Sequence, residues 1–142
     1  MESSPAVPTF KGRFFGVAVL VAVQFLIGII HVAFGFAMLS GSFSVAAVSV
    51  TPLVYSIYTA AYGLLTLLFT YLFWVGKSLG WIGTASVSSF VIIADSLTVL
   101  GLLTVLGIPP LAAVGEIPFS ILVVAYLLQP HIRAKYRIFW FN

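Results

Sequence analysis

An all-α polytopic membrane protein, an antiparallel bundle of four transmembrane helices with both termini in the cytoplasm, is the fold class this sequence predicts. Three observations predict it. Of 142 residues 62% are hydrophobic and only 6% charged, whereas a soluble domain carries about a quarter charged residues to face water. The apolar residues fall into four runs, each near the roughly 20 residues that cross a bilayer as a helix. Every lysine and arginine lies before the first run, between the second and third, or after the fourth.

Span one is predicted over residues 14–39, broken only by Gln24 and His31. It is longer than the apolar core of a signal peptide and has no small-residue cleavage site after it, so it is expected to be retained. Residues 1–13 form a short cytoplasmic segment ending in Lys11 and Arg13. Spans two and three are predicted over residues 52–75 and 79–106, with Trp74, Lys77 and Trp81 at the turn that joins them. Span four covers residues 109–129. The transmembrane domain as a whole is 14–130, and 131–142 is a basic, aromatic tail with Arg133, Lys135, Arg137 and Trp140.

Cytoplasmic flanks retain Lys and Arg, so the one-sided cations place both ends of the chain inside. Trp74, Trp81 and Trp140 fall at the same boundary, where amphipathic rings settle among headgroups; with Lys77, Arg133, Lys135 and Arg137 they are the expected interfacial anchors. The localisation this implies is the plasma membrane. The loop of residues 40–51, SGSFSVAAVSVT, is small and uncharged, and its periodicity selects neither helix nor hairpin.

Helices associate in lipid through small residues and polar contacts, because acyl chains are as apolar as leucine. Each span carries one such stripe at helical spacing: Gln24, Gly28, His31 and Gly35; Tyr55, Thr59, Tyr62 and Thr66; Thr84, Ser88, Val91, Asp95 and Thr98; Glu116, Ser120, Val123 and Leu127. Turning all four inward gives the bundle. Gln24, Gly28, Gly35 and Ser88 are expected to pack helix on helix, with Gln24 and Ser88 in interhelical hydrogen bonds.

His31 follows Arg13 by 18 residues, Asp95 follows Lys77 by 18, and Glu116 precedes Arg133 by 17. At 1.5 Å per residue all three stand roughly 25 to 27 Å from the cytoplasmic edge. With Thr59 and Tyr62 they make a candidate polar site in the outer half of the membrane. Packing and satisfaction near the outer interface is the favoured reading of that level, against a proton, metal-cation or small-solute path. Glu116, between Gly115 and Pro118, is expected at a helix boundary, with the helix starting near Ile117.

Chemistry is excluded by what is missing. There is no cysteine for a disulfide, thiolate metal site or redox centre. No lysine lies inside a span for a Schiff base, and His31 and His131 are expected on opposite sides of the membrane, too far apart for a haem. The single aspartate cannot make an aspartyl dyad. No Gly-x-Ser-x-Gly turn or phosphate-binding glycine loop is present. A non-enzymatic protein with no cofactor and no nucleic-acid partner follows. Its expected partners are the bilayer and other membrane subunits or its own copies.

The segments RFFGVAVLVAVQFLIG, YLFWVGKSLGWIGTAS and YLLQPHIRAKY resemble those of small four-span integral membrane proteins of bacteria and archaea whose function is unassigned. The resemblance implies the four-span layout and no active residue. The functional expectation is an accessory or packing subunit of a membrane assembly, or a homo-oligomer. The alternative is a channel or transporter using the His31, Asp95 and Glu116 level.

Overall fold

The computed structural model describes residues 9–10, 13–41, 52–103 and 107–138. The chain runs α1 (Phe15–Leu39), α2 (Pro52–Trp74), α3 (Ser78–Val99), α4 (Pro110–Leu127) and the short α5 (Pro130–Lys135). Ahead of α1, Thr9–Phe10 and Arg13–Phe14 form a two-residue antiparallel ladder. All four long helices have the length and hydropathy to cross a membrane; with no water in the bilayer core, a helix satisfies every backbone group within its own segment. The expectations at Lys11, Trp140 and most of the 40–51 loop lie outside the described residues.

Glycine sets the distance between α1 and α2. A Cβ on Gly35 would come within 2.6 Å of the Ala60 backbone nitrogen, and one on Gly63 within 2.6 Å of that of Val32. Side chains at these positions would hold the backbones apart, so α1 and α2 run in opposite directions in near-backbone contact, as small-residue interfaces in lipid permit. The same logic joins α2 to α3, where Gly80 faces the backbone of Phe73 and Gly83 the ring of Phe69.

Helix ends are written in the backbone. Gly76 (φ 84°) and Gly101 (φ 70°) take the left-handed conformation, and the amide two residues beyond each C-cap closes back on the helix: Lys77 N–H to Leu72 C=O (2.9 Å) and Leu102 N–H to Leu97 C=O (2.8 Å). These are Schellman closures, which need a residue tolerant of positive φ. Span three therefore ends at Val99, short of residue 106. The apolar run continues past Gly101, so hydropathy alone overshoots the helix. Its last residues, 104–106, are outside the description.

α4 starts at Pro110, not near Ile117. Pro110 occupies the first turn, where a missing N–H costs nothing. Glu116 is thus inside the helix and Pro118 interrupts its ladder, removing the donor that Val114 C=O would otherwise accept.

The tail folds back onto the helices. Ile132 and Tyr136 are fully buried with Val17, Leu20, Phe73, Trp81, Val123, Leu127 and Ile138 in one cluster. Tyr136 stacks on Phe73 at 4.4 Å with rings 11° apart, and its hydroxyl donates to Phe73 C=O at 2.7 Å. His131 meets the Phe14 ring edge-on at 5.2 Å, and Lys135 Nζ stands 4.7 Å from the same ring's centroid. The start of α1 and the C-terminal segment thus share one end of the molecule.

Trp81, an expected headgroup anchor, is only 4% exposed. Its indole N–H donates to Leu127 C=O at 3.0 Å. That carbonyl is left without its i+4 partner where α4 ends, which is why a buried indole is the better use of the residue. Trp74 is half-buried, and Lys77 and Arg137 are exposed.

Candidate functional site

The predicted stripes lie in the interior. Gln24, Gly28 and Gly35 of α1, Tyr55, Thr59 and Thr66 of α2, Thr84, Ser88, Val91, Asp95 and Thr98 of α3, and Ser120, Val123 and Leu127 of α4 are buried, while His31, Tyr62 and Glu116 are half-buried. Leucine, isoleucine, valine and phenylalanine dominate the outer faces.

Where the four helices meet lies a cavity of about 10 Å³, and all four contribute to its wall: Gln24, Thr66, Thr84, Ser88 and Ser120 among them. It is about the size of one water-sized sphere. Beside it Thr70 Oγ1 donates to Gln24 Oε1 at 3.4 Å, a buried bond from α2 to α1. Sequence reading named Gln24 and missed its partner. Extending the α2 stripe from Thr66 by one turn would have found Thr70. Thr59 and Thr98 satisfy themselves locally, donating to Tyr55 C=O (2.8 Å) and Ala94 C=O (2.9 Å), the usual recourse of a hydroxyl on a membrane helix.

Of the three ionisable residues at the upper level, two meet. His31 Nε2 lies 3.5 Å from Glu116 Oε1, linking α1 to α4. His31 Nδ1 is 2.8 Å from Ile27 C=O. A carbonyl only accepts, so Nδ1 carries a hydrogen and Nε2 is the nitrogen turned to Glu116. Tyr62 meets His31 edge-on at 4.7 Å and continues into a stack with Tyr58 (6.4 Å, 11°) and from there Tyr55 (6.5 Å, 24°).

Asp95 does not join them. It is 1% exposed, and neither carboxyl oxygen has a hydrogen-bond partner among the described residues. No group of three His, Cys, Asp or Glu side chains that could hold a metal ion is found among the described residues. Two open grooves flank the molecule. One, of about 360 Å³ between α2 and α3, has Ala61 and Ser86 among its walls, with Tyr58, Leu65 and Phe90. The other, of about 340 Å³, separates α1 from α4 and is walled by Gly16, Val19, Leu122 and Tyr126 among others.

No family model matches the chain, and no curated protein or solved structure matches it either.

Proposed function

We propose that this chain is a non-enzymatic, multi-pass protein of the plasma membrane that acts as an accessory or packing subunit of a membrane assembly, or as a homo-oligomer. Its four spans form an antiparallel bundle with both termini in the cytoplasm. The orientation rests on the one-sided cations and on the meeting of Phe14 with His131 and Lys135.

One observation carries the packing role. The groove between α2 and α3 has small side chains, Ala61 and Ser86, between larger walls, the surface that lets another transmembrane helix approach closely. Purification from native membranes in mild detergent should yield a species larger than one chain. Ala61→Leu and Ser86→Leu, which fill the groove without touching the core, should reduce it to one chain. A wild-type protein that is strictly monomeric, with nothing copurifying, contradicts the reading.

A second reading, a path for protons or small cations, is favoured by one feature: the buried carboxyl of Asp95, which has no hydrogen-bond partner among the described residues.

A further inference from the structure

An aspartate inside a membrane helix is costly unless something meets its charge. At Asp95 nothing does. Both oxygens are buried and unbonded among the described residues. Every lysine and arginine of the chain comes before α1, at the turn between α2 and α3, or after α4 in the sequence, whereas Asp95 lies near the far end of α3 from that turn. The titratable groups that face it are Tyr55, Tyr58 and Tyr62 of α2 and Glu116 of α4. Glu116 is met by His31 of α1, at 3.5 Å. Among the described residues, therefore, no ion pair and no hydrogen bond meets the Asp95 carboxyl.

A carboxylate moved from water into an apolar interior without a partner is so unfavourable that the group neutralises instead. Lipid around the spans only strengthens this, since it withdraws the water that could reach the site from the flanks.

We propose that Asp95 is a proton-binding site: its carboxyl carries an exchangeable proton in the membrane at neutral pH. The inference goes beyond the packing role and stands or falls without it. A carboxyl that loads and releases a proton within the bilayer is the component a proton-linked membrane assembly requires, and it faces Tyr58, whose ring continues through Tyr62 to the half-buried His31–Glu116 pair.

Asp95 is the sole aspartate in the chain, so it can be observed without mutation. The full-length protein, grown with aspartate bearing ¹³C at its side-chain carboxyl, is reconstituted into phosphatidylcholine vesicles and followed by isotope-edited infrared spectroscopy. The expected result at neutral pH is the C=O stretch of a carboxylic acid. It should shift on transfer to deuterated buffer and be lost to the carboxylate doublet only in alkaline buffer. Glu116→Gln should leave that acid band in place. A carboxylate doublet at neutral pH overturns the proposal, and so does an acid band that never shifts in deuterated buffer.

Discussion

Gly80→Leu is expected to unfold the α2–α3 pair. A Cβ at this position would fall on the backbone of Leu72 and Phe73, so no rotamer change relieves it. The helices cannot separate either, because the tight turn at Gly76 joins them with a Schellman closure. Overpacking ordinarily costs about 1–3 kcal/mol, and more where backbone must move; this variant belongs at or above the top of that range. Gly115→Leu is the control. Nothing lies within 4 Å of a Cβ there, so it should be nearly neutral. Thermal unfolding in mild detergent, followed by gel filtration of the soluble fraction, separates the two.

Tyr136→Ala should release the tail from the helix ends. The residue is 1% exposed, its ring is stacked on Phe73, and its hydroxyl donates to a carbonyl in the last turn of α2. Truncating a buried aromatic to alanine costs about 3–5 kcal/mol. Tyr136→Phe keeps the ring and loses one hydrogen bond, about 1 kcal/mol. Trypsin cleavage at Arg133, Lys135 and Arg137 reads the difference: rapid for Tyr136→Ala, slow for Tyr136→Phe and wild type. Equal cleavage of all three would mean that the clamp does not hold the tail.

The four spans and their inward stripes were legible because both are periodic signals. A continuous apolar run marks a helix in lipid, and within each span the polar or small residues, such as Gln24, Gly28, His31 and Gly35 of the first, repeat at the spacing of one helix face. Local chemistry that periodicity does not encode was harder to read. The apolar run past Val99 hid the end of α3, although Gly101 supplied the signal of positive φ. Trp81 sits at the boundary where indoles anchor to headgroups, and only the unpaired carbonyl of Leu127 explains why it turns inward. The tail read as an interfacial strip because its cations and aromatics are mixed. Its alternation of Ile132 and Tyr136 with Arg133 and Lys135 is equally that of a short helix with one buried face. At the polar level, depth counting set His31, Asp95 and Glu116 at one height but could not assign their directions around each helix axis. His31 and Glu116 point at one another, and Asp95 turns into the packed interior.

The placement of every span depends on the chain crossing the membrane four times from one cytoplasmic side, and the absence of native cysteine allows a direct test. Single cysteines at Thr9, Ser78, Asn142 and Gly41 are treated in intact cells with a membrane-impermeant maleimide, then in lysed cells. Labelling is expected at Gly41 in intact cells, and at Thr9, Ser78 and Asn142 only after lysis. Labelling of Asn142 from outside, or of Gly41 and Ser78 from the same side, would contradict that placement of the spans.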